Sequence, residues 1–216
     1  ACCILQNLQD YAADRDYLVP VDLGAKGTCQ IGGNVSTNAG GSYYYRYGSL
    51  HANVMGLEVV LANGDILNLS YDPCHLKDNT GYDLKHLFIG AEGTLGVVTK
   101  VALLCPTLPA SKCAAFLACT NFEQVCKTLS MDKTHLSEIL VAFEFIDAQV
   151  LELVQNQKVA MPLSEIYPYS ILVETHGSNK DHDQAKMEAF VEAVIGDDVV
   201  VDGVLAQNLS QVQDFW

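Results

Sequence analysis

The sequence predicts an α+β chain in two modest domains, on three observations. Half of its 216 residues are apolar and only 18% are charged, which supplies sizeable cores and argues against disorder. A glycine-rich run, Gly24 to Gly41, gathers six of the sixteen glycines, so one part of the chain is organised around a bendable segment. Beyond Pro106 and Pro109, strand and helix patterns alternate with short connections, as they do where helices layer on a sheet. The boundary is placed near residue 109, giving domains of 1–109 and 110–216.

In the first domain, Ile4, Leu5, Leu8, Tyr11 and Ala12 form one apolar stripe, which predicts a helix over 4–13. Tyr17 to Pro20 is an extended lead into the glycine run. There Ile31, Val35 and Ala39 recur every four residues and predict a short helix around 31–37 between glycine turns. Glycine admits a second backbone or a ligand without a Cβ in the way. Thr28, Asn34, Ser36, Thr37 and Asn38 add small donors and acceptors. The run therefore reads as a cradle for a diphosphate or a flat polar ring, with a surface loop as the alternative. Tyr43, Tyr44, Tyr45 and Tyr47 can wall a flat ligand or form one layer of a packed sheet. Val54 to Leu67 reads as two strands joined at Ala62-Asn63-Gly64-Asp65. Lys77 to Asp83 is a polar turn, with Asp83 placed to cap a short helix through Leu87 and Phe88. Gly90, Gly93 and Gly96 then lead into a strand over 97–104. A strand, not a helix, follows these glycines, which disfavours a pyrophosphate site of the Rossmann kind.

In the second domain, Ala114 to Ala118 is apolar and 122–129 is helical. Strands are expected over 139–146, 169–174 and 199–205. Helices are expected over 148–154, over 185–194 with Asp181 or Asp183 near the start, and from Ser210 onward. This order predicts an antiparallel sheet with helices on one face. The first pattern opens on Ala1 and the last breaks off at Trp216, and both read as cut edges.

Net charge is −14, shared as −4 over residues 1–109 and −10 over 110–216, and Arg15 and Arg46 are the only arginines. Such a surface repels phosphate backbones and argues against nucleic acid. No apolar run reaches the roughly 18 residues of a membrane span, and the chain does not open like a signal or transit peptide. The eight cysteines form no Cys-x-x-Cys pair and read as buried, reduced thiols. Six histidines, at 51, 75, 86, 135, 176 and 182, show no metal-pair spacing and read as ordinary histidines. No serine-nucleophile elbow, phosphate loop or zinc-protease motif occurs.

Four stretches carry a resemblance: Pro20 to Gly41, Arg46 to Leu50, Lys77 to Leu84 and Gly90 to Thr99. In that order they resemble the FAD-linked oxidase (vanillyl-alcohol-oxidase-like) family, and the form Gly24-Ala25-Lys26-Gly27 points to its D-2-hydroxyglutarate branch. The resemblance implies the second subdomain of a two-part, PCMH-type FAD-binding domain, followed by part of an antiparallel-sheet cap. It implies FAD contacts from Pro20, Asp22, Gly24, Gly27, Thr28 and Cys29, then from Gly32, Gly33, Asn34, Thr37, Ala39, Gly40 and Gly41. Gly48 is expected beside the cofactor, with Glu92, Gly93, Gly96 and Val98 closing the site.

The activity implied is oxidation of D-2-hydroxyglutarate to 2-oxoglutarate in the mitochondrial matrix, with electrons passed to an electron-transfer flavoprotein. The alternatives are a D-lactate or glycolate substrate, or a truncated product without activity. A homodimer is among the expected assemblies. The family's zinc site, catalytic histidine and substrate-binding arginine are expected outside this chain, which is expected to carry no catalytic or metal residue and to be inactive alone. Consistently, no arginine follows Arg46, whereas a dicarboxylate calls for fixed guanidinium groups.

Overall fold

A computed structural model describes residues 1–70, 77–79, 81–157 and 159–216; Cys74, His75 and Thr80, which fall within the readings above, lie outside them. The chain divides into two units, Ala1–Leu108 and Pro109–Trp216.

The first unit runs α1 (Leu5–Ala13), α2 (Ile31–Ser36), α3 (Tyr44–Tyr47), α4 (Leu50–Asn53), β1 (Val54–Val60), β2 (Ile66–Leu69), α5 (Lys85–Phe88) and β3 (Val97–Leu103). Its antiparallel sheet has the order β2-β1-β3. The Asn63-Gly64 turn closes the hairpin: Gly64 adopts φ 89°, and Leu61 N–H donates to the Asp65 carbonyl at 2.9 Å. A register shift between Val54 and Gly56 lets Val54 and Leu57, three residues apart, face one core. That core joins them to Val59 and Val98 and to Leu5, Val19, Val21, Val35 and Phe88.

Two expectations change here. The tyrosines form a single helical turn, α3, with Tyr43 buried and Tyr44 and Tyr45 exposed, so they are no layer of a sheet. Asp83 does not cap α5, whose N-cap is Leu84 without a side-chain bond; its carboxylate instead pairs with Lys85 and lies 3.4 Å from His86.

The second unit runs β4 (Ser111–Cys119), α6 (Phe122–His135), β5 (Leu140–Asp147), α7 (Ala148–Asn156), β6 (Tyr169–Gly177), α8 (Lys180–Gly196), β7 (Asp202–Leu205) and α9 (Leu209–Asp214). Strand order β5-β6-β4-β7, antiparallel throughout, makes a split β-α-β arrangement. Each of the four helices among its described residues has an Asn or Asp at the N-cap: Asn121, Asp147, Asn179 and Asn208 accept from the N–H three residues on at 2.9–3.2 Å. These bonds satisfy N–H groups that helix geometry leaves unpaired. Asn121→Ala should therefore cost about 1 kcal/mol and Asn121→Asp almost nothing, measured by denaturant unfolding.

Helices cover both faces of this sheet, not one. Ala115, Leu117, Cys119, Ile171 and Val173 meet Val125, Leu136, Met187, Phe190 and Val194 on one side. Ala114, Phe116, Ala118 and Leu172 meet Leu151, Leu163 and Val212 on the other. The physical reason lies in β4, a continuous apolar run with no polar face to give to water. Val199 and Val200, expected in a strand, are buried core residues after α8; Asp198 at φ 54° turns the chain there. On the second face Glu174 and His176 are buried, with Glu174 Oε1 2.7 Å from His176 Nε2 and the Trp216 indole N–H donating to Glu174 Oε2 at 2.5 Å. The seven described cysteines are free, but only Cys119 is fully buried, and Cys2, Cys3 and Cys126 are exposed.

Candidate cofactor site

The site residues named above lie in the first unit, arranged around α2. Pro20 is buried. Asp22 follows, its carboxylate accepting from Gln9 Nε2 at 3.0 Å and from Lys26 Nζ at 3.1 Å. Gly24 to Thr28 is a tight exposed turn, closed by Cys29 N–H on the Ala25 carbonyl at 2.8 Å. It is tied to α1 by Leu5 N–H on the Cys29 carbonyl at 3.0 Å. A Cβ at Gly24, Gly27 or Gly33 would meet nothing within 4 Å, so packing within the fold does not explain these glycines.

Within α2, Ile31 and Val35 face the core, and Gly32 packs against Ala1. Asn34 is only 6% exposed. Its Oδ1 and that of Asn38 are buried without a partner among the described residues, a costly condition for a carbonyl oxygen. Thr37 Oγ1 donates to the Gly33 carbonyl at 3.1 Å, and Ala39 N–H to the Asn34 carbonyl at 2.9 Å. Gly40 lies beside Tyr44. Gly41 sits at φ 79° with its backbone on the Asp22 carbonyl, which joins the start of the cradle to its end. Gly48 ends α3 at φ 74°.

The distant loop 90–96 is bound directly to α2. Gly90 N–H donates to the Val35 carbonyl at 3.0 Å and Glu92 N–H to the Ser36 carbonyl at 2.9 Å. Glu92 and Gly93 are exposed beyond these bonds, both at positive φ. Gly96 and Val98 turn inward: a Cβ on Gly96 would lie 2.7 Å from Val59 Cγ1, and the Val98 side chain is in the core. The structure thus brings Asp22 to Gly41, and Asn34 to Asn38 to the 90–93 loop, while Gly32, Gly96 and Val98 serve internal packing. Two unpartnered acceptors, exposed hydroxyls at Thr28 and Thr37, and glycines open to approach suit a flat polar group bearing N–H donors.

Comparison with known proteins decides the family. Residues 1–70 match the family described as FAD binding domain, and residues 108–216, just over half of the chain, match the family described as FAD linked oxidases, C-terminal domain. The chain belongs to the FAD-linked oxidases. Glu92, Gly93, Gly96 and Val98 fall between the two matched spans. Over 217 residues it is 49% identical to a mitochondrial D-2-hydroxyglutarate dehydrogenase of Danio rerio, covering all of this chain and 40% of that protein. It is 43% identical to a D-2-hydroxyglutarate–pyruvate transhydrogenase of Saccharomyces cerevisiae, covering 99% of this chain and 43% of that one. The chain thus spans about two fifths of the length of the curated relatives it matches. A solved structure of alkyldihydroxyacetonephosphate synthase superposes on 98% of this chain and 42% of its own, with TM-score 0.73 and 16% identity, a likeness of fold. Among the described residues, no helix is long and apolar enough to cross a membrane.

Proposed function

We propose that this chain is part of an FAD-dependent dehydrogenase that oxidises D-2-hydroxyglutarate to 2-oxoglutarate. The observation that carries the reading is 49% identity along the whole chain to a protein of that name, together with the open, acceptor-lined cradle around α2. FAD supplies the hydride acceptor when bound; this chain's own residues hold and orient it. The turn Gly24–Cys29 is set by Asp22 and its contacts to Gln9 and Lys26. It uses the N–H groups of Lys26, Thr28 and Cys29 on nearby carbonyls and presents the open faces of Gly24 and Gly27 and the Thr28 hydroxyl. Asn34 and Asn38 offer their unpartnered Oδ1 atoms to N–H donors, and Gly33, Thr37, Ala39, Gly40 and Gly48 leave room for close approach. Pro20 and Gly41 brace the entry of the cradle. Glu92 and Gly93 close it, while Gly96 and Val98 hold their loop on β1 and Gly32 seats α2.

Residues 1–109 are assigned to the FAD-binding subdomain and 110–216 to a substrate-binding cap. Zinc and the arginine that fixes the substrate carboxylate are assigned to the portion of the relatives that this chain does not span. An electron-transfer flavoprotein as acceptor, a homodimeric state and the mitochondrial matrix complete the reading; the Danio rerio relative is named mitochondrial. A second reading, a D-lactate- or glycolate-type substrate, draws support from the likeness to a transhydrogenase that pairs D-2-hydroxyglutarate with pyruvate.

Flavin titration of Gly33→Ala tests the cradle. Alanine in α2 should leave the melt unchanged or stabilise it by about 0.5–1 kcal/mol, while flavin affinity falls at least tenfold. Undiminished flavin binding would remove Gly33 from the site. Turnover of D-2-hydroxyglutarate, D-lactate and glycolate by the full-length parent enzyme, compared by kcat/KM, separates the two substrate readings.

A further inference from the structure

We propose that His51 and His86 form a two-histidine clip for a divalent transition-metal ion of the zinc or copper kind. The two residues are 35 apart in sequence, on α4 and α5, yet their Nδ1 atoms face each other at 2.8 Å. The rings are inclined at only 28° with centroids 5.0 Å apart, so they meet almost head-on, nitrogen to nitrogen. One of the two nitrogens must carry a proton and the other a lone pair, and a metal ion that displaces the proton recruits both lone pairs. The remaining ring nitrogen of His86, Nε2, lies 3.4 Å from Asp83 Oδ2. A carboxylate near the distal nitrogen is the kind of partner that orients a metal-bound imidazole, and here Asp83 Oδ2 is shared with Lys85. Lys85 is paired with Asp83 and does not compete for the nitrogens.

Metal binding requires the rings to turn as well as to part, because head-on lone pairs point at each other and a tetrahedral ion needs them to converge. Two bonds of about 2.0–2.1 Å at a near-tetrahedral angle place the nitrogens about 3.3 Å apart, half an ångström beyond their present separation. The His86 side chain is 40% exposed, so its ring is free to open by that amount and water can fill the other positions. Among the described residues no group of three or more His, Cys, Asp or Glu side chains converges on a metal. The clip is therefore a two-ligand site, weaker than a closed structural zinc centre. Metal there ties α4 to α5, the helix that leads into the 90–96 loop.

The test is zinc(II) titration of the tag-free chain by calorimetry, with copper(II) paramagnetic resonance on protein carrying nitrogen-15 histidine. The expected result is one equivalent of zinc, at least tenfold weaker in both His51→Gln and His86→Gln, and unchanged in His182→Gln. Asp83→Asn should weaken binding about 10–100-fold. The copper spectrum of the unsubstituted protein should carry the coupling of two histidine nitrogens, a readout that survives any misfolding of the variants. No saturable zinc, equal affinity in the glutamine variants, or a copper spectrum without two nitrogens would reduce the pair to a hydrogen bond and overturn the proposal.

Discussion

Replacing Asp132 by alanine should stabilise the second unit by on the order of 4 kcal/mol at pH 7 and remove most of the fall in its stability between pH 4 and 8. Asp132 lies on the inner face of α6 with Val125 and Thr128 and is 0% exposed. Both of its carboxyl oxygens lack a partner among the described residues. Burial pushes its pKa from 3.8 up to about 8, and Lys133 pulls it back only in small part. Ionised in the unfolded chain above its ordinary value and protonated in the folded one, the group binds more protons when folded. Its contribution is fully present below pH 3.8 and is lost as pH rises to about 8, at about 1.4 kcal/mol per unit. Urea unfolding at pH 5 and pH 8 measures the slope. Asp132→Asn should flatten it too, with a smaller gain because an unpaired amide remains buried. Wild-type stability independent of pH across that interval would contradict the burial of an ionisable Asp132.

Gly41→Ala should destabilise the first unit by about 3 kcal/mol or more and abolish flavin binding with it. The glycine holds φ 79°, and a Cβ there would lie 2.0 Å from the Asp22 carbonyl oxygen and 3.1 Å from Leu23 Cδ2. The left-handed conformation alone costs an alanine about 1–2 kcal/mol. The Asp22 backbone cannot retreat, because Val19 and Val21 on the same segment are fully buried. For a unit of this size the melting temperature should fall by more than about 10 °C. Gly24→Ala, open to solvent, is the control that should leave the melt in place. The contrast with Gly33→Ala separates the two uses of glycine here, since at Gly33 flavin affinity alone should fall. A normal melt for Gly41→Ala would show that the Asp22–Gly41 contact does not hold the cradle together.

Much of this was legible in the chain itself. The stripe from Ile4 to Ala12 becomes α1, the Asn63-Gly64 turn joins β1 to β2, and the four-residue spacing of Ile31 and Val35 becomes α2. The four glycine- and polar-rich stretches pointed to the FAD-linked oxidases. These signals are local: helical periodicity, turn chemistry and a glycine's missing Cβ act between near neighbours, so the sequence by itself determines them.

What the tertiary structure decided depends on residues far apart. Histidines 35 positions apart show no spacing signal, and only the packing of α4 and α5 sets their nitrogens face to face. The 90–96 loop carries glycines in plain view, but its bonds to the Val35 and Ser36 carbonyls fix where those glycines stand. Asp132 lies beyond the helix expected over 122–129 and is turned inward only because α6 runs on to His135. Covering both faces of β4 required α7 and α9 as well as α6 and α8. In each case burial and close approach are set by which surfaces meet across the sheet, and that choice is made by the packing of the whole unit.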